Sequence, residues 1–406
     1  MKEEKTGHAT FRKKEECGMA RFLRWIAGGI ALLLCLAAAS SALAQPLEEG
    51  APMTLTAPSA LLMEAETGAV IFEKNAGERR PVASVTKLMT LLLVLERLDA
   101  GSVTLEDQIT VSPYAAGQTG SQALLDAHAV YPLSDLLKST IIASGNDSAV
   151  ALAEYIAGTE ESFVGLMNAR AKELGLSDTH YVNCTGLPAQ GQYTCARDVA
   201  ALSREIARHP QYFQYSATWL DSLKHPSGRV TDLTNTNRLV RFYQNCDGFK
   251  TGSTNEAKYC LSATAERNGM RLIAVVLGAP NSQGRFNEAR AMLDYGFATY
   301  ARTQVARKGD LTGVQVPVKL GARDTVDVAL GSGLSMLLRA GQAEKLSFET
   351  ELPEALSAPL AAGQEIGKVR VLLDGRLVAE LPAVTAQAVR LPGLLEGFVR
   401  LWEQWR

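Results

Sequence analysis

An α+β fold is predicted by three observations. Two short apolar strands open the folded part of the chain, a block of helical segments follows, and three strands with one long helix close it. That order suggests an antiparallel sheet with a helical subdomain beside it. Beyond about Ala306 the pattern changes to short alternating strands alone, the mark of a separate small all-β domain. At 406 residues and 47% hydrophobic content the chain is long enough for two cores. With 41 Lys+Arg against 43 Asp+Glu, a net charge of −2 and no basic run, no nucleic-acid partner is expected.

The elements follow in order. Residues 1–44 read as a signal peptide, with Arg21 and Arg24 as the basic region, Ile26 to Leu36 as the apolar core and Ala42-Leu43-Ala44 as the cleavage site. The apolar run is short for a permanent span, which favours cleavage and export over anchoring. Met19 looks like a natural start, because a charged mixture precedes it. Residues 45–57 form a linker, and 58–303 the first domain. Ala60 to Glu66 and Ala69 to Lys74 are read as strands joined by a Thr67-Gly68 turn. An apolar helix is expected from about Val85 to Leu98, then helices at Leu133 to Ala143, Asp147 to Ala157, Glu160 to Leu174 and Ala196 to Arg208. Strands return at Gly248 to Thr254, Lys258 to Glu266 and Met270 to Leu277, with Asn268-Gly269 as a hairpin turn. A helix from about Gln283 to Tyr300 ends this part. Residues 304–390 carry the β-domain, with strands at Val314 to Leu320, Thr325 to Leu330, Lys345 to Leu352 and Lys368 to Ala379, the last turning at Asp374-Gly375.

Residues 391–406 are amphipathic. Leu394, Leu395, Phe398, Leu401, Trp402 and Trp405 share one helical face, which suits a helix lying on a membrane surface. The alternative is a helix packed back on the β-domain. Four cysteines follow the signal segment: Cys184, Cys195, Cys246 and Cys260. Export permits disulfides, in three full pairings, and buried free thiols are the other reading. None of the four is spaced with histidine as a metal ligand, so neither a metal nor a cofactor is expected.

Three motifs carry chemistry, at fixed order and wide spacing: Ser84-Val85-Thr86-Lys87, Ser144-Gly145-Asn146 and Lys250-Thr251-Gly252. Lys87 falls one helical turn after Ser84, on the same face. A serine hydroxyl needs a base to become a nucleophile, and no histidine is placed for it, so Lys87 is the candidate. It must then be partly neutral, with burial, a nearby cation such as Lys250 and the positive helix end all lowering its pKa. Gly145 permits a tight turn presenting Ser144 and Asn146 to one cleft, and Asp147 is read as a helix cap. Lys250-Thr251-Gly252 is expected on an edge strand, where a peptide can pair as an added strand. Gly252 leaves room there, and Lys250 with the Thr251 hydroxyl can hold a terminal carboxylate.

Taken together, these motifs resemble those of the serine D-alanyl-D-alanine carboxypeptidases, the low-molecular-mass penicillin-binding proteins. The resemblance runs from about Ser59 onward and includes Gly165-Leu166-Met167-Asn168 and Tyr193-Thr194-Cys195-Ala196-Arg197-Asp198. It implies a penicillin-binding/β-lactamase-like transpeptidase domain, an acyl-enzyme on Ser84, and proton relay by Ser144 with Asn146 orienting Lys87. It also implies an oxyanion hole from the Ser84 and Ser253 backbone N–H groups, with Thr254 and Arg197 assisting at the rim. The implied partners are a peptidoglycan stem peptide ending in D-Ala-D-Ala, β-lactams, and the extracytoplasmic membrane surface. A class A β-lactamase shares the motif order but needs a Glu followed four residues later by Asn. Glu160, Glu161 and Glu173 lack that Asn. His128 is read as a loop residue and not as a base.

Overall fold

The computed structural model describes residues 53–404. The segment read as a signal peptide, and most of the linker, lie outside the described residues. Strands β1 (Ser59–Glu64) and β2 (Val70–Lys74) lead into a 3₁₀ turn at Ala83–Thr86 that continues as α1 (Lys87–Asp99). Next come β3 (Gln108–Thr110), α2 (Pro113–Ala116), β4 (Val130–Pro132), α3 (Leu133–Ile142), α4 (Asn146–Ala157), α5 (Glu160–Glu173) and α6 (Ala196–Ile206). The short elements α7 (Pro210–Ser216), β5 (Leu220–Lys224), β6 (Val230–Thr234) and α8 (Leu239–Phe242) precede β7 (Cys246–Thr254), β8 (Lys258–Arg267), β9 (Met270–Ala279) and α9 (Ser282–Thr299).

One antiparallel sheet, in the order β2-β1-β9-β8-β7, organises this part, and β7 is its edge. Its central strands are apolar on both faces because both faces are covered. Leu61, Met63, Ile273, Val275 and Leu277 enter the core shared with the helical block, and Ala60, Leu62, Leu272, Ala274 and Val276 enter the core shared with α9. Period-two side-chain alternation makes one strand feed two cores. Asn268 (φ 51°) and Gly269 (φ 74°) form the expected tight hairpin.

Helix α9 runs without a linker into β10 (Tyr300–Ala306). The β-rich part continues with β11 (Leu311–Lys319), β12 (Thr325–Leu330), β13 (Leu334–Arg339), β14 (Leu346–Glu351), β15 (Leu356–Ser357), β16 (Glu365–Leu373) and β17 (Arg376–Thr385). Six of these form a sheet in the order β14-β16-β17-β12-β11-β15, while β10 pairs with β13. Val316, Val326, Val328, Val369, Val371 and Leu381 lie at its own small core. Helix α10 (Leu394–Gln404) follows. Leu394 (88%), Leu395 (84%), Phe398 (74%) and Trp402 (71%) stand exposed, uncovered by the β-sheet. No helix among the described residues is long and apolar enough to cross a membrane.

Candidate active site

Ser84 sits on the 3₁₀ turn, and the α-helix begins only at Lys87, two residues later than the apolar run suggests. Val82, Ala83 and Val85 are buried and fix this turn, leaving Ser84 half-buried. Lys87 opens α1, whose next eight residues are all buried, so its side chain is fully enclosed. Its Nζ lies 3.0 Å from Ser84 Oγ, 2.5 Å from Asn146 Oδ1 and 2.9 Å from the Thr185 carbonyl oxygen. Burial disfavours the ammonium and lowers its pKa to about 7.

The Ser144-Gly145-Asn146 turn joins α3 to α4, but its left-handed residue is Ser144 (φ 64°) and not Gly145. Gly145 is needed for space: a Cβ there would stand 2.9 Å from Asp147 Oδ1 and 3.2 Å from the Ala123 nitrogen. The Ser144 hydroxyl is buried with no hydrogen-bond partner among the described residues. Asn146 Nδ2 donates to the Thr119 carbonyl at 2.5 Å, which fixes the amide so that its oxygen faces Lys87. Asp147 serves the first turn of α4, where its Oδ1 accepts from the Ser148 N–H at 2.8 Å, and it also reaches beyond the helix. Its carboxylate accepts from the Ala123 and Leu125 N–H groups, at 2.9 and 3.1 Å, and pins the loop that carries Thr119 and Ser121.

Lys250, Thr251 and Gly252 lie on the edge strand β7, as expected. At Gly252 a Cβ would come within 2.3 Å of the Val82 carbonyl and 3.0 Å of the Ser84 nitrogen, so strand and turn touch backbone to backbone. Lys250 is 1% exposed, and its Nζ reaches the Thr251 carbonyl at 3.3 Å. Burial first, then the Lys87 and Arg285 charges, push its pKa well down. Burial depresses Lys87, as expected, and the repulsion between Lys87 and Lys250 adds to burial in depressing Lys250. Arg285, absent from the motif reading, donates to the Gly252 and Cys260 carbonyls at 3.1 and 3.2 Å.

Two rim residues are not gathered into this cluster. Thr254 Oγ1 accepts from the Ala257 N–H at 3.0 Å, closing the turn into β8, although Ser253 beside it is exposed. Arg197 is half-exposed and ion-paired with Glu73 at 2.9 Å, while its backbone N–H donates to the Ala76 carbonyl. The motif reading also missed Thr185, because a backbone carbonyl has no residue-type signature. Gly186 (φ 83°) is the one trace: a Cβ there would stand 1.9 Å from the Ala83 carbonyl. Among the described residues no group of three or more His, Cys, Asp or Glu is arranged to hold a metal ion.

The chemistry follows from counting hydrogens. A neutral lysine amine has two N–H bonds and one lone pair. The Asn146 and Thr185 oxygens can only accept, so they take both hydrogens and leave the lone pair for the Ser84 hydroxyl. The arrangement can therefore present a lysine lone pair to a serine hydroxyl 3.0 Å away.

The model of the D-alanyl-D-alanine carboxypeptidase family matches residues 45–281. The chain belongs to that family. A second model, the C-terminal domain of penicillin-binding protein 5, matches residues 300–390. Among curated relatives, the D-alanyl-D-alanine carboxypeptidase DacF of Bacillus subtilis is 38% identical, over 86% of this chain and 90% of the relative. DacC of Escherichia coli is 36% identical, over 94% of both. Among solved structures, penicillin-binding protein 5 of Haemophilus influenzae superposes with a TM-score of 0.73 at 31% identity, over 84% of this chain and 99% of that one. In this carboxypeptidase the four described cysteines are buried free thiols, so none of the three pairings is made.

Proposed function

We propose that this chain, a serine-type D-alanyl-D-alanine carboxypeptidase, removes the terminal D-Ala from peptidoglycan stem peptides through an acyl-enzyme on Ser84. The contact of Lys87 with Ser84, Asn146 and Thr185 carries this reading. Neutral Lys87 takes the Ser84 proton as the oxygen attacks the penultimate D-Ala carbonyl. The Ser84 and Ser253 N–H groups receive the oxyanion, a donor pair of which each member is typically worth about 2.7–4 kcal/mol of barrier. The proton passes by way of Ser144 to the leaving amine, the C–N bond breaks and D-Ala departs. Water then attacks the ester and returns Ser84. β-Lactams acylate the same oxygen.

Lys250 and the Thr251 hydroxyl hold the terminal carboxylate of a peptide paired along β7. Lys250 has no carboxylate partner among the described residues, and a buried ammonium gains most from an arriving counter-charge. The contacts of Thr254 and Arg197 lend no such support to a substrate role.

The proposal extends to location. Residues 1–44 direct export, 45–57 link to the catalytic part at 58–303, and the β-rich part at 304–390 carries a membrane-surface helix at 391–406. The exposed apolar side chains of α10 support that attachment over packing on the sheet.

The test is intact mass after mixing protein from Gln45 onward with benzylpenicillin, beside Ser84→Ala. One penicillin per chain, absent from the variant, is the expected result, with D-Ala released from a stem pentapeptide by the wild type. A folded wild type that neither binds penicillin nor releases D-Ala overturns the reading.

A further inference from the structure

The segment from Asn183 to Leu187 belongs to no helix or strand, yet it delivers one of the three contacts made by Lys87. Asn183 makes most of the ties within it. Gln192 braces it from outside, its Oε1 accepting from the Asn183 N–H at 2.9 Å and its Nε2 donating to Asn183 Oδ1 and the Leu187 carbonyl at 3.4 Å each. Asn183 Oδ1 accepts from the Gly186 N–H at 2.7 Å, and from the Thr185 N–H and Thr185 Oγ1 at 3.2 Å each. Its Nδ2 donates to the Leu187 carbonyl at 2.9 Å. This is an Asx turn extended by three further bonds, a local knot in which a side-chain amide replaces the backbone pairing that a strand would provide.

Neighbouring contacts hold the knot in place. The Cys184 N–H donates to Glu160 Oε1 at 2.9 Å, and the Cys184 carbonyl accepts from Thr90 Oγ1, on α1, at 2.7 Å. Gly186 lies directly against the turn that bears Ser84. The Thr185 carbonyl emerges from this frame 2.9 Å from Lys87 Nζ.

We propose that Asn183 is a positioning residue for acyl transfer: its side-chain oxygen folds Thr185 and Gly186 into the turn that aims the Thr185 carbonyl at Lys87, and so keeps the lysine lone pair on Ser84. The proposal rests on the reading of Ser84 and Lys87 given above. The reason is the hydrogen count. If the Thr185 carbonyl turns away, one N–H of neutral Lys87 loses its acceptor. Rotation about the Cε–Nζ bond then lets that N–H, and not the lone pair, face Ser84 Oγ. Asn146 alone cannot prevent this, because one fixed hydrogen leaves two rotational choices. Asn146 is anchored by the Thr119 carbonyl on a helix start, whereas the Thr185 and Gly186 N–H groups have Asn183 Oδ1 as their acceptor.

The test compares the second-order rate constant for acylation by benzylpenicillin in the wild type, Asn183→Ala and Asn183→Ser, across pH. The Ala variant is expected to acylate roughly tenfold more slowly or worse, since a correctly placed base is worth about 10²–10⁴. Its acidic limb is expected to move by about half a pH unit or more, because the surroundings of the lysine have changed. The Ser variant is expected to fall between the two, since a serine hydroxyl makes the same turn more weakly. Val276→Ala, a core change on the α9 face of the sheet, serves as the stability control and should leave the limb where it is. An unmoved limb in Asn183→Ala, or a Ser variant no better than the Ala variant, overturns the proposal. If Asn183→Ala does not fold, the pH profile of Asn183→Ser decides alone. Failure of the Ser84 reading shows separately, as a wild type that forms no adduct.

Discussion

The Lys87 charge is the second-largest influence, after burial, that holds Lys250 well below its ordinary pKa. Two ammonium groups in one water-poor site repel each other, so a charge on either disfavours a charge on the other. An incoming substrate carboxylate changes that balance. In the mechanism proposed above, that carboxylate would favour the charged form of Lys250.

The pH dependence of acylation follows. Lys87 acts as a base only when neutral, and its pKa is lowered to about 7. The rate constant for benzylpenicillin should therefore rise through pH 7 and fall roughly tenfold per unit well below it. A stopped-flow profile with an acidic limb near pH 10, the ordinary lysine range, would contradict the burial argument.

Replacing Asn146 by Asp tests the amide directly. The new carboxylate would lie on the Lys87 ammonium, where the amide oxygen is now 2.5 Å away. An adjacent negative charge stabilises the ammonium and raises its pKa, so the acidic limb should shift to higher pH. Acylation of Asn146→Asp should fall by about 10²-fold at pH 7 and recover in part at pH 9.

Gly252→Ala should damage both stability and activity. The added methyl meets the Val82 carbonyl at 2.3 Å and the Ser84 and Val85 nitrogens at 3.0 Å, all of them backbone. Strand β7 or the Ser84 turn must move, at about 1–3 kcal/mol for such overpacking. A displacement of about 1 Å at a nucleophile costs on the order of 10²-fold in rate. Thermal unfolding together with penicillin acylation would measure both effects.

The buried Lys87 also burdens the fold. Its pKa is lowered on folding from 10.5 to about 7, so between those values the unfolded chain binds more protons and wild-type stability rises with pH. Lys87→Met lacks this term. The melting temperature of Lys87→Met relative to wild type should therefore be most favourable near pH 7 and decline steadily towards pH 10. A difference that does not vary with pH would refute a depressed lysine.

Helix α10 predicts its own assay. Five exposed apolar side chains, Leu394, Leu395, Phe398, Val399 and Trp402, lie within it. Protein from Gln45 onward should co-sediment with phosphatidylglycerol-containing vesicles, and deletion of Leu394 to Arg406 should abolish this while leaving penicillin acylation unchanged. Undiminished sedimentation of the truncated protein would rule out the anchor.

Much of this architecture was legible in the sequence because it rests on side chains with periodic placement. Strands β1 and β9 announce themselves by unbroken apolar runs, and α1 by Leu88 to Leu95. The pair β5 and β6 did not, since each buries a single leucine, Leu223 or Leu233, beneath an otherwise polar strand. Strand β10 was missed because it follows α9 without a turn signal. In the site, Ser84, Lys87, Asn146 and Lys250 are readable as residue types at fixed spacing. The Thr185 carbonyl is not, because every residue has one and only tertiary placement selects it. The place of Asp147 in the first turn of α4 is legible, but its tie to another loop is not, because its partners there, Ala123 and Leu125, are backbone groups.

The four buried thiols have a consequence for how this enzyme is made. Cys184, Cys195, Cys246 and Cys260 are unpaired, and burial raises the pKa of each, so each stays a protonated, sluggish nucleophile. Packing and hydrogen bonds, with no disulfide among these four cysteines, hold the described fold. Maturation therefore makes no demand on oxidising machinery at these positions, and a reductant in the surroundings has no cross-link here to undo.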